Sequence, residues 1–180
     1  MMATSAAILG LSMYSDHFYW AVLGLSMYSD HFYWAVLGGT LESPSLLAKH
    51  REPTPTNMDD GVLMDWFATK FGNLIAEHQP SSAAFRLLLP SSGRSYTRDQ
   101  MVRSLYPNAI FMLVCERSHD RILVGARTAQ SLTLHALGLS DGRRDFDAVS
   151  DYCDQVFGHP GPYWDKGQKE AIVVAWLGLA

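Results

Sequence analysis

The segment LGLSMYSDHFYWAV stands at Leu9–Val22 and again, without one change, at Leu23–Val36. Leu37-Gly38 begins a third pass, and Gly39 ends it. Each copy reads as a β-hairpin. An apolar Leu-Gly-Leu run enters a polar Tyr-Ser-Asp-His turn, and Phe-Tyr-Trp-Ala-Val-Leu leaves it. Aromatic and β-branched residues of this kind favour strands. The repeat period of 14 is even. Strand side chains alternate with period two, so both copies offer the same residues to the same faces and compete for one place in a sheet. A period this short is not that of a solenoid. Only the second copy runs on into Gly38-Gly39, so Leu23–Val36 is expected to fill the native place. Residues 1–22 are then a duplicated N-terminal hairpin segment, and 23–180 a single domain. The surplus copy would be an added edge hairpin, an arm, or a strand lent to a neighbouring chain. That last use is the expected route to a protein partner or homo-oligomer.

The rest of the chain alternates. Pro44 precedes a third strand candidate, Ser45–Arg51, with a single helical turn as the alternative; Pro53 and Pro55 close it because proline cannot donate to a sheet ladder. Asn57 is the expected N-cap of a helix in which Leu63, Phe67, Phe71, Leu74 and Ile75 recur at helical spacing, ending near His78 before Pro80. Ala83–Leu89 reads as a buried strand. Thr97 with Gln100 resembles a capping box for a helix from Arg98 to about Tyr106. Pro107 then predicts a break, with Ile110–Val114 either a strand or a restarted helix. Arg121–Ala126 reads as a strand, Ser131–Leu137 and Phe146–Phe157 as helices, and Gln168–Leu179 as a last apolar helix. Three strands in a meander followed by alternating helices and strands predict an α/β fold. Its mixed sheet joins the meander to parallel strands, with helices packed against it.

Composition bounds the class. The chain has 180 residues, 48% hydrophobic and 18% charged, enough for one domain with a substantial core. No apolar run reaches a membrane span, and no membrane partner is expected. MMATSAAILGL lacks the basic segment of a secretory signal, so no leader is expected there. Cys115 and Cys153 have no metal-ligand spacing, which predicts free thiols in a reducing intracellular compartment. The net charge of −4 is unevenly spread. Nine arginines face four acids between residues 86 and 144. Such a cluster could meet phosphates, but an acidic chain is a poor polyanion binder, and a solvated surface is the plainer reading.

The element order and three local motifs resemble the ribonuclease H-like superfamily, in its RuvC-like branch. Ile8-Leu9-Gly10-Leu11-Ser12 is similar to the opening strand of RuvC-type resolvases. Pro80–Leu89 is similar to their fourth strand. Lys169-Glu170-Ala171-Ile172-Val173-Val174-Ala175 resembles their final helix. The resemblance implies a cluster of carboxylates holding divalent ions such as Mg²⁺, which stabilise the attacking and leaving oxygens in phosphodiester hydrolysis. Carried over by position, the first-strand acid is Ser12, or Ser26 in the second copy. The fourth-strand acid falls nearest Arg86, and only the last-helix acid survives, as Glu170. A hydroxyl, a guanidinium and one carboxylate do not replace three carboxylates. A degenerate site without metal or cofactor is therefore expected. Arg86 and Glu170 either form a bidentate pair across it or are unrelated surface residues.

Other groupings are weaker. Asp16-His17 and Asp30-His31 pair a carboxylate with an imidazole, but neighbouring strand residues point to opposite faces. Asp147, Asp151 and Asp154 share a helix face and, together with Asp145, could hold a cation, though a solvated acidic face is the plainer reading. Cys115, Glu116, His119 and Asp120 follow one another where an apolar run ends, and offer either a Cys–His nucleophile pair or, more plainly, a buried cysteine beside a polar loop. Tyr163-Trp164, beside Pro160 and Pro162, could stack a nucleobase or cover a core. No Gly-rich phosphate loop, zinc pattern or nucleophile elbow is present. The leading expectation is a non-catalytic RuvC-like interaction or scaffold module, with nucleic acid as a candidate partner. The alternatives are a Mg-dependent nuclease or junction resolvase, with Glu170 catalytic beside Asp30 or Asp147, and an interaction protein unrelated to nucleic acid.

Overall fold

The computed structural model describes residues 21–28, 30–87, 95, 97–98, 101–128, 131–134, 136–139 and 146–179. The first repeat copy up to Trp20, including Ser12 and the Asp16-His17 pair, lies outside them, as do Gln100 and Asp145. Strands β1 (Val22–Met27), β2 (His31–Gly39) and β3 (Pro44–Pro53) form the meander. Helix α1 (Asp60–His78), strand β4 (Ser82–Leu87), helix α2 (Tyr106–Arg117) and strand β5 (Leu123–Thr128) follow, then helices α3 (Phe146–Phe157) and α4 (Lys166–Trp176). The sheet order is β3-β2-β1-β4-β5, antiparallel across the meander and parallel from β1 to β4 to β5. The predicted α/β class, a mixed sheet flanked by helices, is the fold observed.

The hairpin is built from the second copy. Leu23 pairs with Val36 and Met27 with Phe32, and the Tyr28 amide closes the turn on the His31 carbonyl at 2.9 Å. Period-two alternation sorts its side chains. Leu23, Leu25 and Met27 join Phe32, Phe67, Phe71 and Phe111 in the core beneath α1 and α2. Val22, Ala35 and Leu37 face the other way, onto α4. Helix α4 is buried from Gly167 to Trp176, the expected state of a helix apolar on nearly every side. It lies so close to β1 that a Cβ on Gly24 would stand 2.2 Å from the Ala171 carbonyl oxygen, and glycine alone fits there. No helix among the described residues is long and apolar enough to cross a membrane.

Four local expectations need correction. Asn57 does not cap α1, because its backbone is left-handed (φ 63°). Asp59 does so instead, accepting from the Val62 amide at 2.9 Å. Pro107 does not break the chain into a strand. A π-helical turn, Met101–Leu105, leads directly into α2, and the proline sits in the first turn of α2, where its missing N–H costs least. Ile110–Val114 is therefore helical. The described residues of Ser131–Leu137 make no α-helix. They form tight turns, with Thr133 Oγ1 accepting from the Ala136 amide and Gly138 at φ 76° ending the segment before a helix could propagate. Helix α4 begins at Lys166, two residues before the expected start, because Asp165 caps it through the Gln168 amide at 3.1 Å.

Candidate functional site

The chain leaves β1 toward β2 and β3 on one side and returns to β4 and β5 on the other. The point where the strand order reverses therefore lies between β1 and β4. Open α/β sheets place ligands at the carboxyl ends of the strands flanking such a point. Four residues converge there. Ser26, near the end of β1, is fully buried and faces α4, since its neighbours Leu25 and Met27 face α1. Tyr28 lies two positions on. Arg86 stands near the end of β4, and α4 carries Glu170, which is 2% exposed.

Glu170 is the hub. Its Oε2 accepts from Ser26 Oγ at 2.9 Å and from Tyr28 Oη at 3.0 Å. Arg86 Nη1 approaches the same oxygen at 3.4 Å. Burial, and then the Glu170 carboxylate, hold the Tyr28 phenol well above its ordinary pKa, so it stays a donor across the physiological range. The Arg86–Glu170 pair is thus formed, but through one contact rather than the expected bidentate fork. Arg86 Nε is buried with no hydrogen-bond partner among the described residues, and Asn108 Nδ2 reaches the Arg86 carbonyl at 3.4 Å. Sequence reasoning missed Tyr28. Its place in the turn hid it: Tyr28 lies one residue past the end of β1, and it shares the face of Ser26 only because the strand alternation carries on for one more residue.

Mg²⁺ requires several oxygen ligands, carboxylates foremost. Here Glu170, the one carboxylate that the described residues bring to the site, already accepts two hydroxyl hydrogen bonds on one oxygen and has a guanidinium beside it. The residues present do not fit a divalent ion. Among the described residues, no three of His, Cys, Asp and Glu gather into a group able to hold a metal. The alternative acids stand elsewhere. Asp30 is exposed and lies 2.6 Å from His31 Nδ1, so the turn does bring that pair together. Asp147 and Asp151 are exposed on α3. Asp154 is occupied by Lys169 at 2.7 Å and by Trp164 Nε1 at 2.6 Å. Burial raises its carboxyl pKa, but those hydrogen bonds outweigh it and hold the group below the usual carboxylate range. Cys115 is buried in the α1–α2 core, while His119 is exposed and pairs with Asp120 at 2.9 Å. They form no nucleophile pair.

No protein-family model matches the chain, and no curated protein matches it. Solved structures do. RuvC of Thermus thermophilus superposes with a TM-score of 0.67 at 11% identity, over 87% of this chain and 92% of that one. RuvC of the same organism in complex with a Holliday junction substrate gives 0.66 at 11% identity, over 87% and 90%. The yeast mitochondrial Holliday junction resolvase gives 0.62 at 9% identity, over 88% of this chain and 77% of that one. Identity this low speaks for backbone architecture alone. The chain has the ribonuclease H-like fold in the form seen in the RuvC-type Holliday junction resolvases.

Proposed function

We propose that this chain is a non-catalytic RuvC-like module that associates with nucleic acid as a binding or scaffold domain. One observation supports this reading above the rest. At the switch point of the sheet, Ser26, Tyr28 and Arg86 all direct donors at the lone carboxylate of Glu170. Donors converging on one acceptor make an internally satisfied polar cluster, whereas phosphodiester hydrolysis by metal ions needs acceptors converging on a cation. The fold likeness to resolvases supports nucleic acid as the partner class.

The test combines binding with cleavage on a four-way DNA junction. The module is expected to bind the junction, with affinity falling as salt rises through counterion release, and to leave it uncut in millimolar Mg²⁺ or Mn²⁺. Metal-dependent cleavage that disappears in Glu170→Gln would overturn the non-catalytic reading. Failure to bind any nucleic acid, even at low salt, would overturn the partner class.

A further inference from the structure

A second polar cluster lies beside the edge strand β3 and adjoins the Glu170 cluster through Tyr28, whose ring stacks on His31 at 5.1 Å and meets Tyr33 edge-on at 5.6 Å. Arg51 Cζ stands 5.9 Å from the Tyr33 ring centroid and 5.7 Å from that of Tyr163. Its Nη2 lies 3.2 Å from His31 Nδ1, and among the described residues no carboxylate pairs with it. An arginine fixed between two aromatic faces has lost its rotamer freedom already, yet keeps a full charge and unused donors. Tyr33 is buried and donates to Asp165 at 2.5 Å, so one wall of this clamp is rigid.

The other wall is exposed and strained. Tyr163 is 48% exposed and holds a left-handed backbone at φ 61°, a genuine outlier for a bulky residue. Its neighbours pin the loop on both sides. Lys49 Nζ donates to the Pro162 carbonyl at 2.7 Å, and Trp164 Nε1 to Asp154. The loop therefore presents an aromatic face to solvent beside a preorganised cation. Trp164, by contrast, covers the core and carries Lys169 5.7 Å from its ring centroid.

We infer that Arg51 and Tyr163 form a nucleotide-binding subsite for single-stranded nucleic acid, in which Arg51 takes a backbone phosphate and Tyr163 stacks a base. Single strands are favoured over duplex because a base must leave its own stack to lie on the ring. The inference rests on the nucleic-acid reading above and adds to it where, and on which strand form, contact is made.

The experiment measures binding of a labelled oligothymidylate, and separately of a four-way junction, across a salt series. Three variants are compared with the unmodified chain. Tyr163→Gly removes the ring while suiting the left-handed backbone, so folding is preserved. Arg51→Gln removes the charge. Arg121→Gln, in the turn that leads into β5 at the other edge of the sheet, is the control for bulk charge. Tyr163→Gly is expected to weaken oligothymidylate binding about tenfold. Arg51→Gln is expected to lower the slope of log K against log salt by about 0.7, the value for one phosphate contact on a single strand. Arg121→Gln should change neither. Binding by the unmodified chain that Tyr163→Gly and Arg51→Gln leave unaltered would overturn the subsite and leave the nucleic-acid reading standing. A chain that binds neither ligand would overturn both.

Discussion

Glu170 is buried with Ser26, Tyr28 and Arg86 all directed at one of its oxygens, and variants of the cluster should behave as a coupled set. Arg86→Met leaves the carboxylate with hydroxyl partners only. Glu170→Gln leaves a half-buried guanidinium without its counter-charge. Each is expected to cost about 2 kcal/mol in urea unfolding, since hydrogen bonds to charged groups contribute about 1.5–3 kcal/mol. The double variant should cost clearly less than the sum, because it leaves no unpaired charge. Strict additivity would mean that the 3.4 Å contact carries no energy. The same residues give a metal test. Ser26→Asp with Arg86→Glu would place three carboxylates where one stands now. Without metal their repulsion should lower the melting temperature. Millimolar Mg²⁺ should raise it by linkage in this variant and leave the unmodified chain unmoved. A double variant indifferent to Mg²⁺ would show that the backbone does not bring these three positions to a common centre.

Helices α2 and α3 each bury a thiol, and this makes their docking sensitive to alkali. Burial pushes both Cys115 and Cys153 from the ordinary 9.0 up to about 12. A raised folded-state pKa means that the native chain keeps a proton the unfolded chain has lost. The stabilisation is fully present below pH 9 and is lost as pH rises toward 12, at about 1.4 kcal/mol per pH unit for each thiol. Unfolding free energy measured from pH 8.5 to 10.5 should fall with pH, and Cys115→Ala with Cys153→Ala should flatten the fall. An unchanged slope would place the alkaline loss on other groups. At this scale sequence showed most where burial followed a clean period. The Leu63, Phe67 and Phe71 stripe needed nothing more than helix geometry. It showed least where long-range context decided. Asn57 and Asp59 are equally good caps by composition, and only the left-handed turn at Asn57 selects the latter. Pro107 signals a break by itself and is absorbed because a π-turn precedes it. Tyr28 acquires its role only once α4, more than a hundred residues later, delivers Glu170 to it.

At the scale of the whole molecule, the repeat offers two segments to one place. Removing Leu9–Val22 and removing Leu23–Val36 produce the same sequence, because Ile8 then precedes an identical hairpin in either case. In that single-copy chain Ile8 stands where Val22 packs and Ala7 where Ala21 does, an exchange of similar residues that costs less than about 1.5 kcal/mol. The chain should fold with unchanged far-ultraviolet circular dichroism, and an unfolded product would show that the added segment is part of the domain. Glycine then distinguishes spare copy from competitor. The position of Gly24 tolerates no side chain, since Ala171 and Ala175 lie against it. Alanine there should cost about 3 kcal/mol in the single-copy chain, which has no other hairpin to use. In the two-copy chain the first segment keeps Gly10, the equivalent residue. It can take the place of the second, with the displaced residues lengthening the connection to β3, and loop closure grows only slowly with length. Gly24→Ala should therefore destabilise the two-copy chain by less. Equal losses in the two chains would mean that the first copy never enters the sheet, and that identity of sequence alone does not make the segments interchangeable.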